Sequence, residues 1–230
     1  MNSTVIHLRG ISSMATRHVL AELSQTCPVA GISLQFESVG GVDATRRLAA
    51  GESFDLVVLD ANALAALAQS GHVLPDSLME LAVSTTAVAV RADAALPDVS
   101  TSKALRAAVL AAQGIGFSSG PSGTALMHLF ERWGIAPLLA DRLLKAPAGV
   151  PVGKLLADGA VDLGFQQLSE LLGIEGIAIL GAMPSDCEII TVFSGAVGAS
   201  CEHVDAAWKA LAFLASSPEA QAVKRRHGMA

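Results

Sequence analysis

The feature that most constrains this chain is a steady alternation of short apolar runs with amphipathic helical stretches, broken twice by long β-rich segments. "TVIHL" reads as a first strand, and residues 13–25 follow as a helix with Met14, Val19, Leu20 and Leu23 on one side. "GISLQFES" is a second strand, and "VDATRRLAAG" is a helix closed by Gly51. The continuous apolar run "FDLVVLD" suits a strand covered on both faces. Asp60 stands at the N-cap position before "ANALAALAQSG", and Gly71 ends that helix. Such a βαβα rhythm specifies an α/β fold with a largely parallel sheet.

The two interruptions are "ELAVSTTAVAVRAD" and "CEIITVFSGAVGAS". Both are longer than the neighbouring strands, and they are expected to be crossover strands near residues 83–91 and 188–197. Between them the rhythm resumes: a helix through Leu110, the strand "GIGFS", the loop "SGPSG", a helix over 124–133, the helix "GVPVGKLLADG", and the strands "AVDLGFQ" and "GIAILG". Helices over 203–215 and 218–226 close the chain, the latter with Ser217 as cap and Pro218 in its first turn. The expected architecture has two lobes, each a mixed, mainly parallel sheet flanked by helices. Lobe I is residues 1–82 plus 198–230, lobe II is residues 83–197 with both crossovers, and a ligand cleft lies between them.

Composition narrows the function. The 52% hydrophobic content is largely alanine, and no apolar run approaches the roughly 18 residues of a membrane span, so no membrane insertion is expected. "MNSTVIHLRG" lacks the apolar core of a secretory signal, so a cytoplasmic location is expected if Met1 is the native start. A net charge of -6, 4% aromatics and no basic cluster beyond "KRRH" argue against a nucleic-acid partner. The odd cysteines Cys27, Cys187 and Cys201 imply neither a disulfide framework nor a zinc knuckle. The histidines form no H-E-x-x-H or i,i+4 pair, so no metal and no cofactor are expected. "GIGFSSG" misses the dinucleotide fingerprint by one residue, and neither a Walker loop nor a G-x-S-x-G elbow is present.

In open α/β sheets ligands bind in the loops that lead from strands into helices. These loops are "RGISSM", "ESVGG", "LDAN", "SSGPSGT" and "KAPAGVPVG". Serine and glycine at a helix start offer hydroxyl and bare N–H donors at the positive end of the helix dipole, a combination suited to a small anion. For one loop alone, ordinary capping explains the same residues. Agreement among four loops favours the ligand. The candidates are Ser12 and Ser13 in the first loop, with Ser38, Gly40 and Gly41 in the second. Ser119, Ser122, Gly123 and Thr124 come from the loop after "GIGF", and Pro151 and Val152 from the next helix start. Gln166 and Gln167 end a strand and point to opposite faces, so one is expected to face the ligand, where its amide can donate to an anion; the alternative is a helix start in which glutamine only satisfies local backbone. Arg9 is a bidentate partner for a carboxylate or else a surface ion pair.

In order and spacing, the segments "GISSMA", "SVGG", "RRLAAGESFDLVVLDANALAALAQSGHVL", "VAVRADA", "IGFSSGPSGTALMHLFERWGI", "VPVGKLLADGAVDLGFQQLSEL" and "FLASSPEAQAVKRRHGM" resemble the molybdate-binding-protein-like branch of type 2 periplasmic solute-binding proteins. The resemblance covers nearly the whole chain. It implies closure over a ligand held by Ser13, Ser38 or Gly40, Ser122, Gly123, Pro151 or Val152, and Gln167. Molybdate binders carry a tyrosine where Gln167 stands, and this chain has no tyrosine. "DLGFQQLSELLGIEGIAILGAMP" is similar to the sub-branch that includes bacterial aconitate isomerase.

Two functions follow. The first is a binder of one small anion, a di- or tricarboxylate in preference to molybdate, with a transporter as partner only if the protein is exported. The second is an isomerase that shifts a double bond in an unsaturated polycarboxylic acid by removing and returning a proton. The isomerase needs a base, and the candidates at loop edges are Glu37, Asp60, His128 and Lys154, none of which the sequence singles out as catalytic.

Overall fold

A computed structural model describes residues 5–230. Thr4, expected to begin the first strand, lies outside the described residues. The strands are β1 (Ile6–Ser13), β2 (Ile32–Val39), β3 (Leu56–Asp60), β4 (Met79–Arg91), β5 (Ile115–Phe117), β6 (Leu143–Lys145), β7 (Leu163–Gln167), β8 (Ile177–Ala182) and β9 (Ile190–Val197). The helices are α1 (Arg17–Thr26), α2 (Gly41–Ala49), α3 (Ala61–Gln69), α4 (Ser102–Ala111), α5 (Pro121–Arg132), α6 (Ala136–Leu139), α7 (Val152–Ala157), α8 (Leu168–Leu171), α9 (Val204–Ser216) and α10 (Pro218–Arg226).

The chain divides into two compact units. Unit 1 runs to Val83 and resumes at Val192–Ala230, and unit 2 is Ser84–Thr191. Residues 192–197, grouped with lobe II on sequence, lie in unit 1 because β9 pairs antiparallel with β3 from Phe193 to Val197.

In unit 1 the strand order is β2-β1-β3-β9, with β1 parallel to both β2 and β3. The alternation along β3 explains its unbroken apolar run. Leu56 and Val58 join a cluster with Leu20 and Leu23 of α1, Leu211 and Leu214 of α9 and Val223 of α10. Val57 and Leu59 join a second cluster with Leu48 of α2 and Leu64 and Leu67 of α3. Both faces are covered, and each fully buried leucine or valine contributes about 1.5–3 kcal/mol.

In unit 2 the order is β8-β4-β7-β5-β6, with β4 antiparallel to β7 and β8, and β5 parallel to β6 and β7. One face buries Val88, Val90, Ile115 and Phe165 against Leu105 and Val109 of α4 and Leu126 and Phe130 of α5. Phe130 meets Phe165 edge-on, with ring centroids 6.2 Å apart. On the other face α7 lies close to the sheet because two glycines sit beneath it. Gly116 and Gly164 are register partners, and a Cβ at Gly164 would stand 2.8 Å from Val152 Cγ1 and 2.7 Å from Leu156 Cδ1.

Three differences from the sequence reading matter for the site. β1 continues through Ser13, so α1 begins at Arg17 and not at Ser13. Helix α5 begins at Pro121, three residues before the expected start, because proline suits the first helical turn where no N–H is required. The short β6 and α6 were not read at all, since three or four residues are too few to show a period.

Candidate ligand site

In unit 1 the parallel register of β1 and β2 places Ser12 opposite Ser38 and Ser13 opposite Val39, at the carboxyl ends of both strands. The Ser12 and Ser38 hydroxyls are 2.8 Å apart and share a hydrogen bond. Ser13 is the N-cap of the short 3-10 turn Met14–Thr16, yet its hydroxyl makes no capping bond. That Oγ is buried without a partner. The Ser13 carbonyl accepts from Thr16 Oγ1 at 3.0 Å, which holds the turn in place.

Gly40 caps α2 with φ -58°, and no atom lies within 4 Å of where a side chain would sit on Gly40 or Gly41. Neither backbone conformation nor crowding inside the protein therefore requires glycine at these two positions. Bare backbone at a helix start is left open to whatever approaches it. Asp60 has a structural role, because its Oδ1 accepts from the Ala63 N–H at 3.0 Å and so caps α3.

In unit 2 the start of α5 has a comparable build. Gly120 is the N-cap and is open on its Cα side, while Ser122 and Gly123 are buried in the first turn. The Ser118 and Ser122 hydroxyls are 2.9 Å apart. Gly123 does have a packing reason, since a Cβ there would overlap the Ser118 carbonyl oxygen. Ser119 and Thr124 are exposed.

The two glutamines divide as alternation demands. Gln166 turns to α7, where its Oε1 accepts from the Val152 N–H at 2.7 Å and its Nε2 donates to Glu170 at 3.0 Å. The Val152 N–H, a candidate ligand donor on sequence, is thus already committed within unit 2, and Pro151 before it has no N–H to offer. Gln167 turns the other way, and its Nε2 donates to Thr191 Oγ1 at 2.6 Å. Its Oε1 is buried and has no partner.

Arg9 does not join these groups. It lies in the interior of β1, four residues before Ser13, stacks 4.8 Å over the Phe54 ring and pairs with Glu52 at 3.5 Å. This is the surface ion pair. The loop-edge acids and bases are similarly engaged. Glu37 pairs with Arg47, and the bonds from that guanidinium hold its carboxyl below the usual range. Lys154 is exposed and pairs with Asp158 at 2.8 Å, and His128 is exposed on α5. The "KRRH" run is no basic patch. Lys224 is buried, donating to the Ala215 carbonyl at 2.7 Å, while Arg226 and His227 both bond Glu22.

The sequence reading missed Ser84, Thr86, Ser118 and Thr191. Ser84 and Thr86 are each about 1% exposed, and neither hydroxyl has a partner. The signal was present as the run Ser84-Thr85-Thr86 within β4, whose first and third side chains share a face. No group of three or more His, Cys, Asp or Glu side chains among the described residues could hold a metal ion.

Unit 1 thus offers strand-end hydroxyls and an open helix start, and unit 2 offers a helix start and one half-bonded amide, all of them neutral donors and acceptors. Residues 8–230 match the family described as bacterial extracellular solute-binding protein. The chain belongs to this family. A curated relative, aconitate isomerase from Pseudomonas sp, is 38% identical over 179 residues, which are 77% of this chain and 68% of that protein. Among solved structures, the periplasmic molybdate-binding protein of Azotobacter vinelandii aligns over 97% of this chain and 98% of its own, with a TM-score of 0.80 and 19% identity. The sulfate-binding protein of Mycobacterium tuberculosis aligns over 97% and 86%, with a TM-score of 0.74 and 16% identity. At these identities the two structures establish the fold, which is that of the type 2 periplasmic binding proteins. Membership of a solute-binding family makes a small molecule the ligand class and a transporter the kind of partner the family implies. No helix among the described residues is long and apolar enough to cross a membrane.

Proposed function

We propose that the protein binds a small unsaturated di- or tricarboxylate in preference to a tetrahedral oxyanion. The observation that carries this reading is the 38% identity to an aconitate isomerase across most of the chain. Two features support it. Gln167 stands where the molybdate binders have tyrosine, and its shorter side chain leaves room for a longer ligand. The donors are neutral and spread over several helix starts, which suits an extended anion with more than one charged end. On this reading Ser13 and the open backbone at Gly40 and Gly41 in unit 1, and the α5 start at Ser122 in unit 2, are each candidate donors to a carboxylate.

Isothermal calorimetry with molybdate, sulfate, cis-aconitate and trans-aconitate tests it. The expected result is binding of an aconitate isomer with no heat from the tetrahedral anions. Molybdate binding without carboxylate binding would overturn the reading.

The same relative favours a second reading, in which the protein turns its ligand over by moving a proton from the carbon α to one carboxylate to another carbon. Asp60, Glu37 and Lys154 are committed to a cap or to ion pairs, which favours binding without turnover. Exchange of a bound aconitate's protons with deuterated water would establish turnover.

A further inference from the structure

On one face of the unit 2 sheet, three chain segments change from apolar to polar at the same end. Along β4 the residues on this face run Val90, Val88, Thr86, Ser84. On β7 they run Leu163, Phe165, Gln167, and the segment entering β9 runs Ile189, Thr191. Val88, Val90, Leu163, Phe165 and Ile189 belong to one apolar cluster, so the polar residues continue the same surface past the end of that cluster. Thr86 and Gln167 are register partners, hence neighbours across the ladder. All four polar residues are more than nine-tenths buried, and Ser84 Oγ, Thr86 Oγ1 and Gln167 Oε1 have no hydrogen-bond partner.

Such a cluster is costly in a folded chain by itself. An unsatisfied buried polar group typically costs about 1–3 kcal/mol, and valine at Thr86 would remove that cost at almost the same volume. The hydroxyls can donate or accept, but Gln167 Oε1 is a carbonyl oxygen and can only accept, and the Nε2 of the same amide already donates to Thr191. A fully ionised oxyanion has nothing to donate to that oxygen. The group that satisfies this surface must carry a proton of its own and also accept from a hydroxyl.

We propose that Ser84, Thr86 and Gln167 form a subsite for an O–H group of the ligand, carried either by an alcohol or by a carboxyl that binds with its proton on. This rests on the carboxylate reading above and deepens it. The ligand would be a polycarboxylate that binds with one end ionised and with a neutral O–H end on this polar surface of unit 2. Sulfate and molybdate dianions, which have no proton to offer, are disfavoured by the same oxygen.

The test is calorimetry on wild type, Thr86→Val and Ser84→Ala with cis-aconitate, citrate and tricarballylate, the last two differing by one hydroxyl. For the carboxylate that binds wild type best, both variants should weaken binding about tenfold, while Tm without ligand stays level or rises because an unsatisfied hydroxyl has been removed. If the O–H is an alcohol, citrate binds more tightly than tricarballylate to wild type, and Thr86→Val erases the difference. If it is a protonated carboxyl, the measured heat depends on buffer ionisation enthalpy because a proton is taken up on binding. Variants that bind every carboxylate as wild type does would overturn the subsite and leave the carboxylate reading intact. No carboxylate heat from wild type would overturn both.

Discussion

In unit 1 the strand-end hydroxyls of Ser12 and Ser38 satisfy one another, and among the described residues Ser13 is left with a buried unpaired oxygen. In unit 2 three buried polar atoms are unpaired, on Ser84, Thr86 and Gln167, while Gln166 next door is fully engaged with Val152 and Glu170. Both units use the same architectural device, a strand running into a helix start, yet unit 2 leaves more hydrogen-bonding capacity unused. The contrast separates positions where polarity serves the fold from positions where it serves a partner. The side chains of Asp60 and Gln166 serve the fold, and the hydroxyls of Ser13 and Thr86 make no bond within it.

The largest expected effects come from glycines that look alike in sequence. Gly123→Ala in unit 2 and Gly198→Ala in unit 1 each drive a Cβ into a backbone carbonyl oxygen, of Ser118 and of Phe54 respectively. Each should destabilise by about 3 kcal/mol or more, a fall in Tm of roughly 6–12 °C by thermal melt. Gly40→Ala meets no atom within 4 Å and has an ordinary φ, so Tm should hold or rise by about 1–4 °C while carboxylate affinity falls. A Gly40→Ala protein that melts early would break the distinction between the two kinds of glycine.

Lys224 tests unit 1 from the opposite direction. Burial lowers its pKa from 10.5 to about 8, so the folded state loses the proton before the unfolded state does. The unfolded state therefore binds more protons between about pH 8 and pH 10.5, and stability attributable to Lys224 rises with pH across that window. Lys224→Met should be more stable than wild type near neutral pH by about 1–2 kcal/mol, and its advantage should shrink towards pH 10 in urea melts at several pH values. A constant difference would mean that the amine keeps its ordinary pKa.

Next in size are the binding effects of single hydroxyls. Ser13→Ala should cost the ligand about 1.5–3 kcal/mol in calorimetry if Ser13 Oγ contacts the anion, with apo stability unchanged because that oxygen bonds nothing in the protein. Ser122→Ala should cost less, since Ser122 already shares a bond with Ser118 and that neighbour can rotate to replace it. Equal losses would show that the Ser118 pairing does not persist when ligand is bound.

The smallest effect is at Glu22, whose carboxyl is held below its usual range first by Arg226 and then by His227. A depressed carboxyl contributes stability that is present above its unfolded pKa and lost as pH falls through the folded value. Arg226→Ala should therefore lower Tm slightly at neutral pH and leave it unchanged in acid. The pair is exposed, so the shift should also shrink in high salt.

Periodicity and caps made most of the framework legible. The apolar run of β3, the Asp60 cap, the Ser217–Pro218 start of α10 and the two long β segments could all be read from local spacing, because caps and alternation are properties of a few neighbouring residues. The strand-end serines were legible for the same reason. Arg9 was misplaced because a strand's end is set by its partner. β1 pairs with β2 residue for residue up to Ser13, and nothing in "TVIHLRG" shows that extension. The roles of Gln166 and Gln167 could be separated only as opposite faces. That one meets a helix N–H and the other keeps a bare oxygen depends on α7 lying over Gly116 and Gly164, a contact across the sheet that local sequence does not encode. Thr86 shows the same limit. Its hydroxyl belongs to the run Ser84-Thr85-Thr86, which the sequence displays, but its lack of a partner is a statement about every atom around it, and only the folded chain brings those atoms together.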